Sequence, residues 1–500
     1  MGQFLKVHVP DGSYNVSLLL IATASLLLLL FVFPSSLNLT YAASTPSFSA
    51  PVNLGSAITG AAQNPNIAAS GSCVYVSYPQ ATAGHGTQVY VRSSSNNGLT
   101  FGAAVDVSQN MVGKHNFQRI WAIGTYAYMT WEDTLSGGTQ NILFSYTSNC
   151  GSTWSKPVQL NSVIIPSNCP YLCAQPTITA SGSDVYVTWT QQNPSQVSSG
   201  CGKTSKCEDI YFVAGTNNGA NFGPNHYFGN TGYTGQAHEV EIASSGTSVY
   251  LTWDDKHLYF QVSHDSGATW FFSNTKSGQE NAFVLSQNPA WPATNREPHI
   301  SASGSSVYVI WESDYATSTT TGNEKAYVQV SSNSGNNWLV NSTGGLSPFV
   351  FGQNTWLPMV FASGTNAYAT WGGIVKGSFQ AFVTSSSNSG TSWSTPINLS
   401  NDAGPSHDTQ VTASASLLYV MYFDNSSSLG GTGSHPMVVE STDGGSTFGS
   451  AVDLSKGAGA TIEVQNDQPQ IMISGSRVCA TWLQTVGTVQ DVMYSNATSP

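Results

Sequence analysis

One strand pattern, small-Val-Tyr-Val-x-Trp, recurs eight times along this 500-residue chain, ending at Tyr78, Trp131, Trp189, Trp253, Trp311, Trp371, Tyr422 and Trp482 at intervals of 51 to 64 residues. Such a period marks an array in which one supersecondary unit buries its apolar face only by packing on the next copy. Length alone would suggest three domains, whereas an array of this kind uses the whole chain as one body.

An extended segment of the form Pro-x-Ile-x-x-Ser-Gly precedes the Trp strand, as in Pro65 to Gly71, Pro176 to Gly182, Pro298 to Gly304 and Pro469 to Gly475. Its Ser-Gly pair supplies a hairpin turn. A variable loop and a third alternating strand follow, such as Gln88 to Arg92, Asp209 to Val213 or Ala326 to Val330. Each of the first seven units then reaches a turn of the type Ser-x-Asp/Asn-x-Gly-x-Thr-Trp/Phe, whose Asp/Asn-x-Gly and aromatic residue recur in all seven. The first copy is Ser94-x-Asn96-x-Gly98-x-Thr100-Phe101; the others centre on Asn149 and Gly151, Asn217 and Gly219, Asp265 and Gly267, Asn333 and Gly335, Asn388 and Gly390, and Asp443 and Gly445. The chemistry is that of a turn, in which a short side-chain oxygen accepts local N–H bonds, Gly takes a positive φ, and the aromatic residue plugs back onto the sheet. A fourth strand follows, as in Lys156 to Leu160, Thr395 to Leu399 and Ser450 to Leu454.

The eighth unit stops after its third strand, near Asp491 to Ser495. The missing fourth strand is at the front, where Phe48 to Gly55 matches the other fourth strands and has no unit of its own before it. Pairing the two ends closes a ring and removes two sheet edges that would invite aggregation. The expected fold is all-β, a propeller of about eight four-stranded blades.

Charged residues make up only 8% of the chain and the net charge is −12. Four Arg and ten Lys form no basic stripe, so nucleic acid is not an expected partner. An apolar run from Leu18 to Phe33, followed by small residues around Ala42 and Ala43, reads as an export signal or an uncleaved anchor. The expected division is residues 1–43 as signal peptide or signal anchor and residues 44–500 as a single domain lying outside the cell or on its surface, membrane-bound only through that segment, and monomeric. Asn-x-Ser/Thr triplets at Asn38, Asn341, Asn398, Asn425 and Asn496 fit an exposed surface, although they arise often by chance in Ser/Thr-rich sequence.

The seven turn motifs, known as Asp boxes, together with the Trp-strand repeat, resemble the sialidase or BNR-repeat superfamily from Phe48 to the C-terminus. The resemblance implies a propeller, but the sialidases are six-bladed and this chain counts eight units. It also implies three arginines clamping a substrate carboxylate, a Tyr nucleophile with a Glu partner, and an Asp general acid. That set does not carry over. Arg92 precedes one box and Arg477 sits in a Ser-Gly-x turn, both on the face opposite the family's active site; Phe117-Gln118-Arg119-Ile120 only approaches the family's Phe-Arg-Ile-Pro motif.

In a four-stranded blade the segments entering the first strand and joining the second to the third share one face. Charges concentrate there. Entering the first strands are His115 with Arg119, His238 with Glu239 and Glu241, Arg296 with Glu297 and His299, His407 with Asp408, and Asp467; after the Trp strands come Glu132, Asp133, Asp254, Asp255, Glu312, Asp314 and Asp424. They predict a polar, net acidic ring, either because loops are where charges are solvated or because the ring holds a ligand. Catalytic candidates are Glu239, Glu297 and Asp408, since paired carboxyls serve a glycosidic bond as acid and base or nucleophile. Ligand-binding candidates are Arg119, His238, Glu241, Arg296, His299, His407 and Asp467. The same oxygens suit calcium, and no other cofactor is expected; the histidines lack zinc spacing. Trp291 and Trp356 either stack on sugar rings or pack long loops.

Seven cysteines in an exported chain suggest disulfides. Cys169 and Cys173 with Cys201 and Cys207 occupy two insertions on one face of one blade. Cys73 and Cys479 lie in the first and last Trp strands, where a bridge would staple the ring, leaving Cys150 over. Two functions fit: a surface propeller binding a glycan or a surface protein without sialidase chemistry, or a sialidase-like, exo-acting glycoside hydrolase using carboxylates of the ring.

Overall fold

A computed structural model describes residues 45–55, 60–166, 174–192, 208–228, 238–255, 257–271, 282–286, 293–315, 324–340, 346–352, 354–401, 404–426, 429, 433–456, 469–486 and 488–498. The chain divides into two compact units, Met1–Ala42 and Ala43–Pro500, and all described residues belong to the second. The N-terminal segment, His238's side chain, Asp467, Trp291 and the four cysteines Cys169, Cys173, Cys201 and Cys207 lie outside what is described.

The described chain is all β-strand, turn and bend, with no α-helix. Most sheets are four-stranded and antiparallel in sequence order. The first strands of the eight units are Asn66–Ser70, Gly113–Ile123, Thr177–Ser181, His238–Ser245, Ala293–Ser303, Thr355–Ser363, Ser406–Ser414 and Gln470–Ser474. Units 1 and 2 share one larger sheet through a short parallel pairing of Gly86 with Gly113 and Thr87 with Lys114. Fourth strands are only two or three residues long, which keeps each outer edge short and discourages pairing with another chain.

The Trp strands are buried along their length because each sheet is covered on both faces. Trp131, Trp189, Trp311, Trp371 and Trp482 are almost wholly inaccessible. Each apolar core lies between two consecutive units: Tyr186, Ile210 and Phe212 of unit 3 pack with Val240, Ile242 and Trp253 of unit 4. The last and first units share a core of the same kind, with Leu54, Leu483, Val492 and Tyr494 against Ile67, Val74 and Tyr78. Truncating one such Trp to Ala forfeits about 3–5 kcal/mol.

The front segment pairs with the tail. Val52 stands opposite Tyr494 and Asn53 opposite Met493 in an antiparallel ladder. Leu54 N–H donates to Val492 O at 2.8 Å, and Asn53 Nδ2 to Asp491 Oδ2 at 2.8 Å. First strands also pack in series, each on the next, and the eighth packs on the first, where Ser474 Oγ donates to Gly71 O at 3.0 Å.

The turns between third and fourth strands repeat one bonding scheme. In unit 6, Asn388 Oδ1 accepts from Ser392 N–H and Ser386 Oγ, and Ser386 Oγ accepts from Gly390 N–H, at 2.9–3.0 Å. Unit 3 departs from it, because Gly215 stands where the other units have a hydroxyl. The turn glycine lies against the preceding unit: a Cβ on Gly390 would stand 2.7 Å from Tyr308 and Val330, and one on Gly98 would overlap Tyr494 of unit 8. Only Gly tolerates both that approach and a φ near +78°.

The expected Cys73–Cys479 bridge is not formed. Cys73 is bonded to Cys150, across a Cα separation of 5.4 Å. The reason is the same packing: Cys150 occupies the turn of unit 2 that lies on unit 1, and so reaches Cys73 directly. Cys479 is buried and unbridged, accepting from Tyr494 Oη at 3.0 Å, with Asn97 of the unit 1 turn above it.

Candidate functional site

At the end of the sheets opposite those turns, five first strands carry the same irregularity. The registers slip between Asn116 and Arg119, His238 and Glu241, Arg296 and His299, Trp356 and Met359, and His407 and Gln410. In each case two residues oppose a single residue of the second strand, namely Trp131, Trp253, Trp311, Trp371 or Tyr422. This is a β-bulge, which bends a strand and re-aims its side chains. The leading bulge residue is left-handed in all five: Phe117, Glu239, Glu297, Leu357 and Asp408 have φ between 46° and 55°, and Asn64 of unit 1 takes the same conformation. None of them is Gly, so each holds a backbone strain of about 1–3 kcal/mol that its surroundings must enforce.

The three catalytic candidates therefore occupy one structural position in three units. They sit within strands rather than in the loops that the sequence suggests, because the second strands run on past their Trp and keep the first strands paired.

Carboxylates of one bulge cap the backbone of the next. Glu239 Oε2 accepts the N–H of Glu297 at 2.6 Å, and Glu297 Oε2 accepts the N–H of Leu357 at 3.2 Å. Further along the same strand, His299 Nδ1 accepts from Val360 N–H at 3.4 Å and Ser301 Oγ from Ala362 N–H at 3.0 Å. Side chains thus replace the backbone ladder between neighbouring first strands.

Arg296 Nε donates to Glu312 Oε2 at 3.3 Å, and its Nη2 donates to Glu324. Glu312 is wholly buried, whereas the Arg296 side chain is 35% exposed. Glu297 stands close enough for its charge to act on Glu312. Burial, reinforced by the charge of Glu297 and only partly offset by Arg296, pushes the Glu312 carboxyl up to about 9. Burial together with Glu239 raises Glu297 to about 7. At neutral pH Glu312 therefore keeps its proton. Burial also raises Glu239, against the Glu297 N–H and Arg296.

Glu241 is pushed up to about 7 by burial, opposed by Arg119 of unit 2, whose own pKa burial lowers. The two groups feel each other's charge across an intervening unit. His299 is held down at about 4 by burial, so its imidazole is neutral and its Nδ1 is free of a proton to accept the Val360 N–H. Arg119, Glu239, Glu241, Arg296 and Glu297 thus act on one another's charge, whereas His299 bonds only to the Val360 N–H. His407 and Asp408 stand as a separate pair, with Nδ1 3.0 Å from Oδ2. His115 pairs with buried Asp133 at 3.3 Å; Glu132 beside it, raised by burial to about 7, accepts from Thr134 and from Gln140.

Glu324, at the start of a third strand, was not among the sequence candidates, and neither were the bulges. A signal for the bulges was present: Asn64, Phe117, Glu239, Glu297, Leu357 and Asp408 each stand three residues before the Ile or Val of the first strand. Among the described residues no group of three or more His, Cys, Asp or Glu side chains is arranged to hold a metal ion.

No family model matches the chain, and no curated protein matches it. Several solved structures are similar in chain path at low identity. An α-L-arabinanase from Penicillium chrysogenum complexed with arabinobiose is 10% identical, over 91% of this chain and 99% of that one, at a TM-score of 0.41. An ulvan lyase of polysaccharide lyase family PL25 is 11% identical over 75% and 90%, at 0.44. A mutant NanB sialidase from Streptococcus pneumoniae is 11% identical over 76% and 96%, at 0.35. At these scores the similarity bears on neither substrate nor chemistry.

Proposed function

We propose that the eight units form an eight-bladed β-propeller, exposed outside the cell, that binds a glycan or a surface protein through the bulge-bearing end of its sheets without sialidase chemistry. The serial packing of first strands, with the eighth on the first, supports the closed arrangement. The Cys73–Cys150 bridge supports an oxidising compartment.

One observation carries the binding reading: the charges of this end are engaged with one another. Arg296 serves Glu312 and Glu324, Arg119 feels the charge of Glu241, and Glu239 and Glu297 each hold a neighbouring backbone N–H. A clamp for a substrate carboxylate needs guanidinium groups turned to the ligand, and of the two arginines at this end Arg296 is taken by two carboxyls while Arg119 donates to Gln118 O at 3.3 Å. Such a rim offers a preorganised polar surface.

A glycoside hydrolase is the second reading, favoured by the Glu297–Glu312 pair, whose neighbouring carboxyls at about 7 and 9 are separated into a proton donor and a partly ionised base. Screening purified protein against sialosides and polysaccharides, with Glu239→Gln, Glu297→Gln and Asp408→Asn as controls, decides between them. Saturable binding without turnover is expected; turnover that disappears in Glu297→Gln would overturn the binding reading in favour of the hydrolase.

A further inference from the structure

The opposite end of the sheets carries a second feature, visible only by comparing the seven turns position by position. The residue before the turn glycine is Asn97, Cys150, Asn218, Ser266, Ser334, Ser389 or Gly444. All seven are left-handed, with φ between 51° and 71°. In every unit its N–H donates to the carbonyl of the first hairpin, from Asn97 to Ser72 through to Gly444 to Ser416, at 2.7–3.0 Å. In units 2 and 3 the side chain at this position bonds to the preceding unit. Cys150 bonds to Cys73, and Asn218 accepts from Tyr128 Oη at 3.0 Å.

In unit 7 that side chain is missing. A Cβ on Gly444 would find nothing nearer than the hydroxyl of Tyr368, 3.9 Å away. Beside it a cavity of about 590 Å³ opens between the turns of units 6 and 7, within the roughly 300–1,000 Å³ range of small-molecule sites. Its wall includes Asn366, whose Nδ2 donates to Ala415 O at 3.2 Å, Trp393, and the exposed Ser387 and Ser416. No Lys, Arg or His lines it, and its one carboxylate, Asp443, already accepts from Ser441, Ser446 and Thr447. A wall of hydroxyls and an amide beside an indole matches a neutral polyol with an apolar ring face and offers an ion nothing.

We infer that the cavity between the sixth and seventh turns binds a neutral sugar residue, at a site separate from the bulge-bearing end. The test uses the whole protein and four probes, the methyl glycosides of glucose, galactose, mannose and N-acetylglucosamine, followed by saturation-transfer NMR. At least one probe is expected to bind. Gly444→Asn restores a residue that the same turn accommodates at Asn97 and Asn218, and it is expected to weaken that binding by about tenfold or more with the unfolding temperature unchanged. The exposed pair Ser387→Ala with Ser416→Ala gives an independent reading and should weaken it several-fold. Failure of all four probes to bind would overturn the inference. So would binding that survives Gly444→Asn and disappears in Glu297→Gln, since that ligand would belong to the other end.

Discussion

The two ends of the sheets use the same unusual backbone conformation for opposite purposes. At the turn end, left-handed residues are Gly, Asn, Ser and Cys150, and their bonds repeat from unit to unit. At the other end it falls on Phe117, Glu239, Glu297, Leu357 and Asp408, of which only Asp408 is of a type that accepts it with any frequency. The turn end is uniform because every copy solves the same problem, seating one unit on the one before it. The bulge end varies in chemistry while keeping its geometry, with carboxyls concentrated in units 4 and 5 and apolar residues in units 2 and 6. Strain and shifted pKa values gather at one end, and a repeated bonding scheme at the other.

The strongest way to break this contrast is to enlarge a turn glycine. Gly390→Val places side-chain atoms where Tyr308 and Val330 already stand, at φ +78°, and is expected to remove about 3 kcal/mol or more in urea unfolding. Gly364→Ala, at φ +62° with no atom within 4 Å, should lose only about 1 kcal/mol. Equal losses would mean that seating on the preceding unit adds nothing beyond φ.

Arg296→Met tests the other end. It leaves buried Glu312 without its guanidinium partner and should cost about 2 kcal/mol at pH 9, discounted for the partial exposure of the arginine. At pH 6 the loss should shrink, because the Glu312 carboxyl is protonated there.

The same group sets a dependence on pH. An acid whose folded pKa is raised holds its full stabilising contribution below the ordinary carboxyl value and loses it as pH rises through the folded value. For Glu312 the window runs from about 4.5 to about 9, and Glu297 and Glu241 add to it up to about 7. His299 acts in the opposite sense, its contribution being lost as pH falls from about 6.5 through about 4. The unfolding temperature should therefore drop by a few degrees between pH 6 and pH 9, and Glu312→Gln should flatten the drop. A variant with the unaltered slope would remove Glu312 from the account.

The smallest effect belongs to a single turn side chain. Asn388→Ala removes bonds to Ser392 N–H and Ser386 Oγ in an exposed turn, and about 1 kcal/mol is expected, with ligand binding at the bulge end untouched. A loss of binding at that end would contradict the division between the two.

Local chemistry was legible wherever it repeats. The Trp strands, the hairpin glycines, the turn motif and the match between Phe48–Gly55 and a fourth strand were all readable, and the front segment does pair with the tail. The clustering of Arg119, Glu239, Glu241, Arg296, Glu297 and His299 was legible as charge on one end of the units, since their spacing from the Trp strands is regular. What it could not convey is which charges touch. The Arg296 link to Glu324, the mutual charge of Glu297 and Glu312, and the capping of one bulge by another depend on contacts between strands and units far apart in the chain. The bridge from Cys73 to Cys150 escaped for a related reason, because the neighbour of a cysteine is set by which turn lies over which sheet.

By itself, then, the order of residues determined the strands, their turns and the number of units, because alternation, turn chemistry and periodicity act over a few bonds along the chain. Only the tertiary structure decided where the bulges fall, which carboxyls burial pushes up and where neighbouring turns leave a cavity. Those outcomes follow from burial and from distances between segments brought together by folding, and both quantities exist only once the sheets have packed.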